Sequence, residues 1–88
     1  LKLYPKFFMI KDKINLDYDF DFEVLKKKMK KYYNHQEIDD RDGVKIIFEE
    51  SWLHIRKSNT EPIIRIYTEA ESESECNKII DDFKGLIT

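Results

Sequence analysis

The sequence predicts an α+β domain in which an antiparallel sheet is covered on one face by two helices, in the element order β-α-β-β-β-α. Three observations support this prediction. The 88-residue chain has room for one small domain with a modest core. Two segments carry apolar residues at helical spacing. Three runs in the second half alternate between apolar and polar residues, as half-buried strands do, and short turns separate them.

The first strand is predicted within residues 3–16, where aromatic and aliphatic side chains are concentrated. The polar triplet Lys11-Asp12-Lys13 interrupts this run, and we interpret the whole as one strand. Pro5 is placed at its beginning or outside it, because proline cannot donate to a sheet ladder.

The first helix is predicted to follow residues 17–21, which contain aspartates suited to cap its N-terminus. Four apolar residues then recur at spacings of three, four and three, as in an amphipathic helix. They are Phe22, Leu25, Met29 and Tyr32. Lysines among residues 26–31 take the other face. Acidic residues just before them cancel their charge, so we interpret this face as solvated rather than as a nucleic-acid surface.

Residues 34–43 are polar and irregular, and Asp42-Gly43 at their end indicates a turn. Asp39, Asp40 and Asp42 lie close together, but we interpret them as part of a turn before a strand rather than as a metal site. His35 has no second imidazole at ligand spacing.

Three strands are then predicted at 44–49, 52–56 and 63–70, the first two joined by a link short enough for a hairpin. Each has an apolar face and a polar face. His54 shares the polar face of its strand with Arg56, which leaves open an approach to a ligand, although a surface or packed histidine is favoured. No serine or cysteine is arranged with it for nucleophilic catalysis.

The closing helix is predicted from Ser72, which stands at capping-box spacing from Glu75. Apolar residues follow at helical intervals: Cys76, Ile79, Ile80, Phe83 and Ile87. Cys76 lies on this stripe, so we interpret it as a core residue rather than a nucleophile. It is the only cysteine, which excludes an internal disulfide.

The turn between the last two strands, residues 57–62, carries the chemistry that best suggests a ligand. A hairpin-like return here aims the guanidinium groups of Arg56 and Arg65 the same way, and each such contact with a phosphate is worth roughly 1.5 to 3 kcal/mol. Ser58 and Thr60 add hydroxyl donors, and backbone N–H groups of the turn can surround an anion. Asn59 suits the tip because asparagine tolerates the left-handed backbone region. A solvated turn with surface arginines is the alternative that the spacing leaves open.

These residues resemble a known family. The segment Arg56-Lys-Ser-Asn-Thr-Glu-Pro62, followed by Arg65-Ile-Tyr67, is similar to the phosphate-binding loop of the C-terminal domain of the α-D-phosphohexomutases, which include phosphomannomutase, phosphoglucomutase and phosphoglucosamine mutase. The resemblance extends through Asp42-Gly43 and the acidic last helix to nearly the whole chain. Many relatives have glycine where Asn59 stands, and an Asp-Gly-Trp turn where this chain has Glu50-Ser51-Trp52.

The resemblance implies a TATA-binding-protein-like fold, with about four to five strands if residues 37–40 form an additional short one. It implies a linker or hinge at residues 1–6 and the folded domain at 7–88, as a fragment of a longer multidomain enzyme. The start at Leu1 agrees with a fragment.

In this family a phosphoryl group moves between the 1- and 6-positions of a hexose through a bisphosphorylated intermediate. The resemblance implies that this domain holds the substrate phosphate with Arg56, Ser58, Asn59, Thr60 and Arg65. The phosphoserine, the magnesium ion and the sugar-recognition loop belong to other domains, so we expect no cofactor, no metal and no catalytic residue here. The fragment alone is expected to be inactive.

Charge and hydropathy limit the partners. The net charge of −2 provides no general attraction for nucleic acid or an anionic membrane, and no apolar run is long enough to span a bilayer. The resemblance implies hexose phosphates and the other domains of the same chain as partners, and we expect a cytoplasmic protein. The alternative is a non-enzymatic α+β ligand- or protein-binding module. The identity of the hexose is not indicated.

Overall fold

In the described part of the chain, five strands form one antiparallel sheet, with two helices packed against it. The computed structural model describes residues 7–16 and 20–87, so the linker predicted at residues 1–6 lies outside the described residues. The elements, in chain order, are β1 (Phe8–Asn15), α1 (Phe22–Tyr32), β2 (Glu37–Asp39), β3 (Val44–Ile47), β4 (Trp52–Lys57), β5 (Ile63–Ala70) and α2 (Glu73–Lys84). The strand order in the sheet is β1-β5-β4-β3-β2. The predicted α+β class is confirmed, and β2 is the additional short strand.

The core lies between one face of the sheet and both helices. Alternate residues of the three central strands are buried there: Val44, Ile46, Leu53, Ile55, Ile64 and Ile66. Both helices contribute to the same cluster, with Leu25 and Met29 from α1 and the stripe from Cys76 to Phe83 from α2. The other residues of each strand project from the opposite face, here called the outer face, which neither helix covers.

Both helices begin at a capped residue. Asp21 accepts a hydrogen bond from the backbone N–H of Glu23 at 2.9 Å, and Ser72 accepts one from that of Glu75 at 3.1 Å. These bonds satisfy N–H groups that the first turn of a helix leaves without an intrahelical partner. Of the predicted N-cap aspartates, Asp17 and Asp19 lie outside the described residues.

The predicted apolar stripe of α1 is wrong at its last position. Tyr32 is 54% exposed, whereas Tyr33 is only 7% exposed and belongs to the core. The ring of Tyr33 packs edge-on against Phe48, with 5.9 Å between the ring centroids. Tyr33 stands four residues after the buried Met29 and so continues the apolar stripe in place of Tyr32.

The connections differ from the predicted strand ends by a few residues. Strand β3 ends at Ile47 rather than at 49, because Phe48 already donates its N–H to the carbonyl of Ser51 at 2.9 Å and closes a turn. Strand β4 extends to Lys57, so the β4–β5 loop is 58–62. Gly43 has a φ of +68°, which confirms the turn predicted at Asp42-Gly43.

Candidate functional site

The two arginines predicted to act together are direct neighbours across strands. Arg56 in β4 and Arg65 in β5 are register partners in the antiparallel ladder. Paired residues project from the same face with Cβ atoms about 4.5–5.5 Å apart. Because Ile55 and Ile66 point into the core, both arginines stand on the outer face, beside the β4–β5 loop.

Each arginine has one acidic neighbour at the same end of the sheet. The Nη2 atom of Arg56 lies 3.5 Å from an oxygen of Asp42, in the β2–β3 connection. The Nη2 atom of Arg65 lies 3.8 Å from an oxygen of Glu61, in the β4–β5 loop. Both distances exceed that of a good hydrogen bond, so the guanidinium donors are only loosely engaged.

Arg41 at the same end of the sheet is bound differently. Its Nε and Nη2 atoms donate to the two carboxylate oxygens of Asp39 at 3.0 and 2.7 Å. This bidentate contact holds the pKa of Asp39 well below its usual range and raises the pKa of Arg41. Arg56 and Arg65 therefore have loosely held donors to offer a ligand, whereas Arg41 is held by Asp39 through two short hydrogen bonds.

The hydroxyl group of Ser58 organises the β4–β5 loop. Its Oγ atom accepts long hydrogen bonds from the backbone N–H groups of Thr60 and Glu61, both at 3.3 Å, and lies 3.5 Å from the hydroxyl oxygen of Thr60. The N–H of Ser58 itself closes the hairpin onto the carbonyl of Ile63 at 3.0 Å. Two N–H groups and two hydroxyls thus converge on one point at the tip of the hairpin.

The reason given for asparagine at position 59 is wrong. Among the described residues only Gly43 has a positive φ, so Asn59 does not adopt the left-handed conformation. The loop turns instead through the hydrogen bonds to Ser58. Asn59 is exposed.

Gly43 and His54 support the position of Arg56. A Cβ atom at Gly43 would lie 2.2 Å from the carbonyl oxygen of Ile55 and 3.1 Å from Cγ of Arg56, so this close packing requires glycine. His54 donates from Nε2 to the carbonyl of Asp42 at 2.7 Å, which ties the turn to β4. The imidazole is therefore a structural residue of the turn, and sequence reasoning gave no sign of the role of Gly43 beside an arginine.

Two surface hollows lie near the site: the loop residues line one, Arg65 lines the other, and Arg56 lines neither. A hollow of about 310 Å³ is lined by Leu16, Phe20 and residues 57–62 and contains neither arginine. A second hollow, of about 340 Å³, is lined by Lys11, Asp12, Lys13, Arg65 and Tyr67. The guanidinium group of Arg65 thus borders the outer surface of β1 and β5. Sequence reasoning missed these lysines because it did not pair β1 with β5.

The described carboxylates do not form a metal site. In residues 7–16 and 20–87, no three His, Cys, Asp or Glu side chains are grouped so that they could hold a metal ion. Asp39 is bound by Arg41, and Asp40 accepts a hydrogen bond from Nζ of Lys30 at 2.6 Å. Neither helix is long and apolar enough to cross a membrane in the described part of the chain.

Comparison with known proteins identifies similar sequences over nearly the whole chain. The family profile described as "Phosphoglucomutase/phosphomannomutase, C-terminal domain" matches residues 13–86. The chain is 36% identical over 85 residues to a phosphoglucosamine/phosphogalactosamine mutase of Sulfurisphaera tokodaii, an alignment that covers 94% of this chain and 19% of that protein. It is 38% identical over 77 residues to a phosphoglucomutase/phosphomannomutase of Thermococcus kodakarensis, covering 88% of this chain and 17% of that protein. The chain therefore spans less than a fifth of the length of these relatives.

Proposed function

Because the chain belongs to the family of phosphoglucomutase/phosphomannomutase C-terminal domains, we propose that it binds the phosphate group of a hexose phosphate within a phosphohexomutase. The binding residues are Arg56, Ser58, Asn59, Thr60 and Arg65. The bound phosphate is the one that is not being transferred, while the sugar extends towards the other domains of the intact enzyme.

The observation that carries this proposal is the cross-strand pair of arginines beside the hairpin loop. Like charges directly opposite each other destabilise a sheet, so Arg56 opposite Arg65 is a costly arrangement for the fold alone. A phosphate dianion between the two guanidinium groups reverses the sign of that interaction. Their acidic neighbours at 3.5 and 3.8 Å leave the N–H donors free enough to turn towards it.

The loop supplies donors for the remaining phosphate oxygens. In this structure, the backbone N–H groups of Thr60 and Glu61 donate to the Ser58 hydroxyl oxygen at 3.3 Å. In the proposed complex, one phosphate oxygen accepts hydrogen bonds from these two N–H groups instead. The hydroxyls of Ser58 and Thr60 then donate to the phosphate, and Asn59 contributes its backbone N–H and its amide. Hydrogen bonds as long as 3.3 Å are weak, so exchanging them costs little.

The contribution of this domain to the reaction is positioning. Holding the distal phosphate orients the sugar so that the reacting oxygen meets the phosphoryl group. Because binding has already restricted the motion of the sugar, less entropy is lost on reaching the transition state, and the activation barrier is lower. A site that recognises only the charge and shape of the phosphate group accepts either orientation of the sugar. Interconversion of hexose 1-phosphate and hexose 6-phosphate requires both orientations. Which hexose reacts is left to the other domains.

The transfer chemistry is proposed to lie outside this chain. A phosphoserine and a magnesium ion supply it in the intact enzyme, and the described carboxylates do not fit a magnesium site. The 88-residue chain should therefore give only background rates when assayed with glucose 1-phosphate, magnesium and a bisphosphate activator. The mutase names of the relatives favour this function over a non-enzymatic binding module.

The test is a titration of ¹⁵N-labelled protein with inorganic phosphate, glucose 6-phosphate and mannose 1-phosphate. We expect a dissociation constant on the order of a millimolar or above, since the isolated loop is solvated and screened by salt. Amide shifts should cluster at residues 56–61 and be similar for all three ligands. Unphosphorylated mannose should not produce them.

Arg56→Ala should weaken phosphate binding about tenfold, the equivalent of one charge-assisted hydrogen bond of about 1.4 kcal/mol. Arg41→Ala is the matched control, because it removes the same charge from the same end of the sheet but from an arginine that is bound to Asp39. The phosphate affinity of Arg41→Ala should change less than about twofold, as expected for an exposed charge that Asp39 already neutralises and salt screens. Equal losses in the two variants, or shifts centred on the lysines of α1, would refute the assignment.

A further inference from the structure

A third cation stands in line with the two arginines. Lys13 of β1 is the register partner of Arg65, which is itself the partner of Arg56. The three side chains project from the outer face of three adjacent strands and form what we call the cationic row. Strands lie about 4.8 Å apart, so the row spans about 10 Å, within reach of one phosphate for flexible side chains.

The charge of Lys13 is less compensated than those of its neighbours. Arg56 and Arg65 each have a carboxylate within 4 Å, whereas Lys13 has none among the described residues. The adjacent Asp12 does not serve, because one of its oxygens accepts the backbone N–H of Lys13 and the other lies 3.3 Å from Nζ of Lys84 in α2. The row thus carries an excess of positive charge at the β1 end.

The shape of the surface agrees with a ligand at this end. Lys13 and Arg65 line the same hollow of about 340 Å³, together with Lys11, Asp12 and Tyr67. Arg65 therefore stands between the hairpin loop on one side and the β1 lysines on the other. An anion that contacts Arg65 lies within the field of Lys13.

We propose that Lys13 is a third cationic residue of the phosphate site, so that the site extends across three strands and not only over the β4–β5 hairpin. This inference rests on the proposed function. An ammonium group acts as a point charge without a directional fork, so Lys13 adds attraction for the dianion while the arginines fix its orientation. The ligand class is a phosphate monoester or inorganic phosphate.

Lys11 provides a matched control. It lies on the same strand and the same face, two residues from Lys13, but its register partner is Tyr67 and not an arginine. Each of the variants Lys13→Gln and Lys11→Gln removes one positive charge from the outer face. Lys13→Gln removes it from within the cationic row, and Lys11→Gln removes it from outside the row. Lys13→Arg keeps the charge in place.

The experiment is the phosphate titration, repeated with these three variants at low ionic strength. One charge about 7 Å from a dianion, partly screened by solvent, predicts that Lys13→Gln weakens binding about three- to fivefold. Lys11→Gln should weaken binding less than Lys13→Gln does, because Lys11 borders the same hollow but lies two residues further along β1 from the partner of Arg65. Lys13→Arg should bind as the parent does. Far-ultraviolet circular dichroism and the unperturbed core amides verify that each variant is folded.

The possible results separate the two proposals. If the parent chain does not bind phosphate at residues 56–61, the proposed function fails. If the parent binds and Arg56→Ala is impaired while Lys13→Gln binds as the parent does, the function stands and the third cation is refuted. Equal weakening by Lys13→Gln and Lys11→Gln also refutes it, because the effect then comes from the general surface charge.

Discussion

Replacing Gly43 by alanine should destabilise the domain and disturb the proposed phosphate site at the same time. Gly43 has a φ of +68°, and it packs against the backbone of β4. A Cβ atom there would stand 2.2 Å from the carbonyl oxygen of Ile55, a core strand residue that cannot rotate away. It would also stand 3.1 Å from Cγ of Arg56, so relieving the overlap moves the arginine.

The expected loss of stability in Gly43→Ala is the sum of two energies. A left-handed conformation costs a residue with a Cβ atom about 1–2 kcal/mol. Forcing extra volume into a packed region costs about 1–3 kcal/mol more. The free energy of unfolding should therefore fall by about 2–5 kcal/mol, out of a total of about 4–13 kcal/mol for a chain of this length. The melting temperature should fall on the order of 10–30 °C.

Gly85→Ala is the control for the same chemical change. Gly85 ends α2 with a φ of −63°, and its added Cβ would meet the carbonyl oxygens of Asp82 at 3.4 Å and Asp81 at 3.9 Å, both ordinary contacts. Alanine in this conformation should stabilise by up to about 1 kcal/mol, since it lowers the entropy of the unfolded chain. Urea unfolding measures both variants. A loss below about 1 kcal/mol for Gly43→Ala, or equal effects at the two glycines, would refute the reasoning.

Two further predictions concern stability. The hydroxyl of Tyr33 is buried without a hydrogen-bond partner among the described residues, so Tyr33→Phe should raise the free energy of unfolding by about 0.5–1.5 kcal/mol. Tyr32→Phe, at the exposed ring, is the control and should change it little. A clear loss of stability in Tyr33→Phe would mean that the hydroxyl has a partner. The hydrogen bond from Lys30 lowers the pKa of Asp40 from its ordinary 3.8, so this carboxylate contributes stability above that pH and loses it as the pH falls through the depressed folded value. Asp40→Asn should thus unfold at a lower temperature than the parent at pH 7, with a smaller difference at pH 3, and a difference that does not depend on pH would contradict this.

The sequence correctly predicted features that depend on residues close together in the chain. It failed for features that depend on contacts between residues far apart in the chain. Strand β5 has the predicted bounds, because Ile64 and Ile66 alternate with polar neighbours over an unbroken run. The hairpin likewise placed Arg56 and Arg65 together, since only five residues connect their strands. Helical spacing allowed either tyrosine after Met29, Tyr32 at i+3 or Tyr33 at i+4, and the contact of Tyr33 with Phe48 is not visible in that spacing.

The same distinction between contacts close together and far apart in the chain applies to the candidate site. Its hairpin residues were found from their sequence pattern, but Lys13 joins them only through the pairing of β1 with β5, the first strand with the last. Nothing local in Lys11-Asp12-Lys13 indicates which strand lies beside it. The glycine that makes room for Arg56 was predicted as a turn residue, for the correct backbone reason, while its contact with β4 was not.

The acidic neighbours of the arginines are compatible with both a stable sheet and the proposed binding of a phosphate. Without Asp42 and Glu61, the sheet would carry the full repulsion of the cationic row. A phosphate must compete with both carboxylates, yet exposed single contacts of this kind are worth only about 0–1 kcal/mol each. Bidentate pairing of the kind that joins Arg41 to Asp39 would be harder to displace. Loose pairing at Arg56 and Arg65 therefore limits the cost to the fold while leaving most of the arginine–phosphate attraction available for binding.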